Sequence, residues 1–226
     1  MPQKALPSVT AIIVAAGASR RMGFDKLSYR LPDGRTVLET SCALFAAHPA
    51  VDELVLVAGG NRPQCEAIAA ACPKPCTVVQ GGATRADSVR SGLAAAKGQL
   101  VAIHDAARPF ASAEIITAAL QAAAESGAAA PAVPVKDTIK IADQDGKVVA
   151  TPDRAMLYAV QTPQCFDRAL YLQALEAVSG EKASLVTDDC SLFELVGLPV
   201  TLTAGDYANL KITTKEDLQK ENTMRI

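Results

Sequence analysis

Thr10-Ala-Ile-Ile-Val-Ala-Ala-Gly-Ala-Ser-Arg-Arg-Met-Gly-Phe-Asp-Lys26 starts as a run of small and β-branched apolar residues and ends in a glycine-bearing loop with three cations, Arg20, Arg21 and Lys26. From Ala11 to Ala16 no polar residue alternates with the apolar ones, the pattern of a strand covered on both faces in a parallel sheet. The loop leaves the C-terminal end of that strand, where ligands bind in open α/β sheets. Ala15, Ala16 and Gly17 carry too little side chain to keep a ligand off the backbone. Three cations in so short a span suit a polyphosphate better than a carboxylate.

The chain then repeats the strand and helix unit. A helix is expected over 36–47, with Val37, Leu38, Cys42, Leu44 and Phe45 as its apolar stripe. Strand 53–58, helix 63–71 closed by Pro73 and Pro75, and strand 76–80 follow. Gly81-Gly82 turns into a helix reaching about Ala96, with capping-box spacing between Thr84 and Asp87. A strand over 100–104 and a helix over 112–125 come next. This alternation predicts an α/β fold: one domain over 1–226, Rossmann-like and doubly wound, around a mostly parallel sheet.

The pattern breaks once, over 136–155, where 138–150 reads as a β-hairpin turning near Asp145-Gly146. A lone hairpin is marginal in water, so this protruding arm needs a surface. The same arm of a second copy, giving a homodimer, is the economical choice, and its own domain is the other. Regularity returns at 159–164, with helices over 167–177 and 187–196, the latter capped by Thr187. Closing strands are expected over 199–203 and 209–213, and a last helix from Thr214, spaced for a capping box with Asp217.

With 226 residues, 20% of them charged, and a net charge of −2, the chain has no electrostatic footprint for nucleic acid or an anionic membrane. A small-molecule partner is expected. No apolar run approaches a membrane span, and residues 1–7 lack the apolar core of a signal peptide, which points to the cytoplasm. The six cysteines are scattered without a C-x-x-C pair, so they are expected as reduced, partly buried thiols. Two histidines, His48 and His104, are too few for a histidine-based zinc centre.

In a doubly wound sheet the ends of the first, third and fourth strands share one edge. This brings together 15–26, 81–88 and 105–108. Gly81-Gly82 gives a backbone free to approach a flat ligand, and Arg85, Asp87 and Ser88 lie on the first turn of a helix whose N–H groups favour anions or ring acceptors. Asp105 suits a hard cation such as magnesium, which with a triphosphate needs one or two protein carboxylates; capping a helix or pairing with Arg108 are its other possible roles. Arg154, Thr187 and Lys211 come from the irregular second half.

The first loop resembles the nucleotidyltransferase signature, with Ser19 where a second glycine is usual, Asp25 where proline precedes the lysine, and Leu27 where glutamine often follows. Gly81-Gly with Arg85-Ala-Asp-Ser-Val, His104-Asp-Ala-Ala-Arg-Pro, Pro134-Val-Lys-Asp-Thr-Ile-Lys, Val160-Gln-Thr-Pro-Gln, Thr187-Asp-Asp and Asn209-Leu-Lys-Ile-Thr occur in the order seen in the 2-C-methyl-D-erythritol 4-phosphate cytidylyltransferases. The resemblance spans nearly the whole chain. It implies that CTP and methylerythritol phosphate are joined, in non-mevalonate isoprenoid synthesis, with release of pyrophosphate. The ribitol 5-phosphate cytidylyltransferases share many of these motifs and are the alternative.

Position by position, the resemblance implies that backbone at Ala15 and Ala16, with Gly82, Ala83 and Ser88, reads cytosine. Ala83 replaces a frequent acidic residue, so only its backbone is assigned. Gly17, Asp105 and Ala106 would face the ribose, and Asp105 the magnesium. Arg21 and Lys26 would steady the phosphates. Thr138, Arg154, Thr187 and Lys211 would hold the sugar phosphate, with Arg154 arriving from the partner's arm.

Overall fold

The computed structural model describes residues 6–17, 25–178, 185–214 and 216–217. Strand β1 (Val9–Val14) lies inside the sheet, in parallel register with β2 (Glu53–Ala58) on one side and β4 (Leu100–Asp105) on the other. Strand β3 (Cys76–Gln80) adds to β2, again parallel. Beyond β4 the order continues through β9 (Gln164–Asp167) and β5 (Ala128–Pro134) to β10 (Thr201–Ala204). Strand β9 runs antiparallel to both neighbours, and β8 (Tyr158–Val160) pairs antiparallel with the far half of β5. The sheet is therefore mostly parallel, as the strand and helix alternation predicts.

The unbroken apolar run of β1 follows from its two covered faces. Val9, Ala11 and Ile13 pack with α1 (Val37–Ala47), α2 (Arg62–Ala71) and α4 (Ala113–Ser126), through Phe45, Cys65 and Leu120 among others. Ile12, one residue out of phase, packs against the opposite layer of α3 (Arg85–Ala95), α5 (Arg168–Ala177) and α6 (Asp189–Leu195), through Leu93, Tyr171 and Phe193. Fully buried Phe45 illustrates the scale, since truncating such a ring to alanine costs about 3–5 kcal/mol.

Thr84 and Asp87 form the expected capping box, each side chain receiving the other's backbone N–H. Thr36 and Glu39 form a second at the start of α1. Two expectations need correction, and one element goes unannounced in the sequence. Helix α6 is capped by Asp188, not Thr187; the Asp188 carboxylate accepts the Ser191 N–H while Ser191 Oγ answers the Asp188 N–H. Residues 209–213 form no strand, because their backbone serves side chains instead: Lys26 Nζ donates to the Ile212 carbonyl and Arg108 Nη1 to that of Asn209. Strand β5 carries no strand signal in the sequence, because apart from Val133 it is built of alanine and proline, which strand propensity disfavours. At the start of the expected last helix the Thr214 N–H donates to Asp217 as the spacing predicts, and the remainder of that expectation falls outside the described residues.

The hairpin forms where expected. Strands β6 (Ile141–Ala142) and β7 (Val148–Ala150) pair antiparallel in a sheet of their own, around a turn with Gly146 at φ 79°. Ile141, Val148, Val149 and Met156 are each more than half exposed. All six cysteines are free thiols, four buried and two half-buried. Among the described residues no helix is long and apolar enough to cross a membrane.

Candidate active site

A cavity of about 430 Å³ opens where β1, β3 and β4 end. Ala16 and Gly17 line it from β1, Gly82, Ala83, Arg85 and Ser88 from the start of α3, and Asp105 and Ala106 from β4. Lys26, at the start of a one-turn 3-10 helix, and Lys211, in a loop, complete its wall. Parallel strands carry their following loops to the same edge, which is why segments so far apart in sequence meet here.

The backbone fits tightly around this opening. A side chain on Gly81 would collide with the Cβ of Ala16 and crowd Ser88 Oγ, so the strand ends approach this closely only with glycine there. Ser88 Oγ donates to the Thr84 carbonyl and accepts the Gly82 N–H, fixing the turn. Among the described residues, a side chain on Gly17 would meet nothing within 4 Å. Ala15 is buried, and its carbonyl accepts from Asn61 Nδ2; it supports the loop without lining the cavity.

Asp105 is the electrostatic centre. Its Oδ2 lies 2.6 Å from Lys211 Nζ and its Oδ1 lies 3.4 Å from Arg85 Nε. Burial alone would raise its pKa, but Arg85 and Lys211 outweigh that and hold the carboxyl down at about 2. Arg108, the alternative partner, turns instead to the Asn209 carbonyl. The Asp105 N–H donates to Thr162 Oγ1, 3.1 Å away. Thr162 in turn donates to Nδ1 of fully buried His104, whose Nε2–H reaches the Arg108 carbonyl. A carbonyl can only accept, so this chain fixes the tautomer. Burial lowers the His104 pKa to about 4, leaving the ring neutral.

The departure at Asp25 is accounted for locally. Its carboxylate accepts from the Leu27 N–H and the Ser28 hydroxyl, capping the one-turn 3-10 helix Lys26–Ser28. It thus fixes the turn that presents Lys26 and does not line the cavity. Arg21 and Ser19 lie outside the described residues.

The remaining expected residues stand apart within one chain. Thr138 is exposed on the arm, and Arg154 is exposed at its base, where Nη1 donates to the Lys136 carbonyl. Thr187 is exposed just ahead of α6, its N–H bonded to Ser191 Oγ. None of the three lines the cavity. Conversely, Asp189 and Thr162 show no role in the sequence, although they lie in the Thr187-Asp-Asp and Val160-Gln-Thr-Pro-Gln motifs. Each acts through a partner distant in sequence: Asp189 on Arg85, 104 residues away, and Thr162 on His104, 58 away.

The family model described as "IspD: 2-C-methyl-D-erythritol 4-phosphate cytidylyltransferase" matches residues 9–224. The 2-C-methyl-D-erythritol 4-phosphate cytidylyltransferase of Symbiobacterium thermophilum is 45% identical over 93% of this chain and 90% of its own length. The bifunctional enzyme IspD/IspF of Anaeromyxobacter dehalogenans is 44% identical over 96% of this chain, which spans only 56% of that protein. The crystal structure of 4-diphosphocytidyl-2C-methyl-D-erythritol synthase from Anaerococcus prevotii superposes with a TM-score of 0.85 at 34% identity, covering 97% of this chain and 96% of that one. The chain belongs to the 2-C-methyl-D-erythritol 4-phosphate cytidylyltransferase (IspD) family.

Proposed function

We propose that the chain transfers the cytidylyl group of CTP to 2-C-methyl-D-erythritol 4-phosphate, releasing pyrophosphate. A phosphate oxygen of the sugar alcohol forms a bond to the α-phosphorus, and the bond between that phosphorus and the bridging oxygen of the leaving pyrophosphate breaks. The attacking phosphate is already an anion and needs no general base, so the work is to align two anions and neutralise the charge between them. The observation that carries the reading is the cavity itself, where Lys211 and Arg85 flank one ionised carboxylate and Lys26 adds a further cation to the same wall, beside two close-set strand ends.

In this reading the backbone around Ala16, Gly82 and Ala83 receives the base, and Gly17, Asp105 and Ala106 face the ribose. Lys26 and Arg21 hold the phosphates, and Lys211 lies between the two substrates. Magnesium fits the donor set: Asp105 is held ionised, and one carboxylate suffices for an ion whose other ligands are triphosphate oxygens and water. When bound, the ion offsets negative charge on the triphosphate. Thr138, Arg154 and Thr187 complete the sugar-phosphate side, with Thr138 and Arg154 supplied by the arm of a second copy. The exposed Ile141, Val148, Val149 and Met156 give that arm reason to pair, so the proposed working form is a homodimer, acting in the cytoplasm on water-soluble substrates.

The test is magnesium-dependent pyrophosphate release from CTP, with methylerythritol 4-phosphate and ribitol 5-phosphate in parallel. Release with the first alone is expected. Release with ribitol phosphate alone, or with neither, would overturn the assignment.

A further inference from the structure

Asp189 is a buried carboxylate for which the proposed reaction has no chemical use. Its residue is 3% exposed, in the first turn of α6. Both oxygens are engaged: Oδ1 accepts from Tyr171 Oη at 2.7 Å and Oδ2 from Arg85 Nη2 at 2.7 Å. Its backbone is held as well, because Gln164 Oε1 accepts the N–H groups of Asp189 and Cys190 while Gln164 Nε2 donates to Asp188. A carboxylate fixed at both oxygens and at its own N–H has no freedom to turn.

We infer that Asp189 is a positioning residue: it sets the guanidinium of Arg85 in the cavity wall and thereby ties the start of α6, beside Thr187, to Asp105. The inference rests on the reading of the cavity as the nucleotide site. Arg85 is pinned at two points of its planar fork, Nη2 by Asp189 and Nε beside Asp105, which fixes the plane of the group as well as its place. An ion pair with one partner buried is a poor device for stability, since desolvating the carboxylate offsets much of its attraction to a half-buried guanidinium; fixing geometry is its better use. The run Tyr171, Asp189, Arg85, Asp105, Lys211 thus joins the face of the sheet that carries α5 and α6 to the cavity, in four contacts. Without Asp189, the half-buried Arg85 side chain would be free to close on Asp105 and compete with Lys211.

The test begins with the free protein. Nitrogen-15 spectra of the Arg85 side chain should show slow rotation about its Nε–Cζ bond in the wild type, and fast averaging in Asp189→Asn. Fast averaging in the wild type, or unchanged rotation in the variant, would overturn the inference. The wild-type spectrum needs no substitution, so it decides even if the variant fails to fold. A calorimetric titration with CTP adds a second readout: Asp189→Asn should weaken binding about tenfold, as expected when a charge-assisted hydrogen bond is lost. Asp189→Asn with Arg85→Gln should bind no worse than Arg85→Gln alone, whereas additive losses would mean that Asp189 does not act through Arg85. Because the spectra are taken without nucleotide, a failure of CTP to bind bears on the proposed function, and a freely turning Arg85 bears on this inference.

Discussion

Lys211 Nζ lies 2.6 Å from Asp105 Oδ2, a pair drawn from residues 106 apart in the chain. The pair joins the irregular segment after β10 to the end of a central strand, so a cation of the second half becomes part of the first-half cavity. Lys211→Met removes the charge and keeps most of the apolar stem. It should lower kcat by about 10²–10³-fold, the usual loss when one group that stabilises transition-state charge is removed. The lysine is substantially exposed, so the melting temperature should move by only a few degrees. Pyrophosphate release and a thermal melt check both, and turnover within twofold of wild type would remove Lys211 from the mechanism.

Lys26 and Arg154 test whether cavities are completed across a dimer. Lys26→Ala should abolish most turnover while the chain stays folded, and Arg154→Ala should raise KM for the sugar phosphate more than for CTP. In a heterodimer of the two variants, one of the two sites combines an intact Lys26 with the partner's intact Arg154. After random exchange of equal amounts, half the dimers are mixed, so about a quarter of wild-type activity should return. No recovery, with exchange verified by mass spectrometry, would show that each chain completes its own site.

His104 makes stability depend on pH. Burial lowers its pKa from 6.5 to about 4, so between those values the unfolded chain takes up a proton that the native protein refuses. Its contribution is therefore complete above pH 6.5 and lost as pH falls toward 4, amounting to about 3 kcal/mol over that window. His48, also lowered by burial, acts in the same direction. Urea unfolding at pH 7, 6 and 5 should show declining stability, with a shallower decline in His104→Gln. Equal declines in the two proteins would rule out a buried neutral ring.

What the sequence reveals here depends on how local each cause is. Strand β1 is legible because burial on both faces leaves an unbroken apolar run, and the Thr84–Asp87 box because its partners are three residues apart. The hairpin turn at Gly146 is equally local. Strand β5 is opaque, since Ala128, Ala129 and Ala130 owe their extended form to neighbours on both sides, which no alanine pattern announces. Residues 209–213 alternate like a strand, yet Asn209 Nδ2 bonds the Thr162 carbonyl and Lys211 reaches Asp105. The glycine and cation pattern of the cavity is readable for the same reason as β1. Roles that pass through a second residue, as with Asp189 and Thr162, leave no trace in spacing.

The exposed arm carries a kinetic corollary. If a neighbour's arm supplies Arg154, the monomer is an unfinished catalyst and assembly belongs to the rate law. Well above the dissociation constant of the dimer, velocity rises in proportion to protein; far below it, velocity rises with the square, because each working unit must first be found by collision. Dilution alone would then act as an inhibitor, and the amount of chain in a cell would set the activity of each molecule as well as the number of molecules.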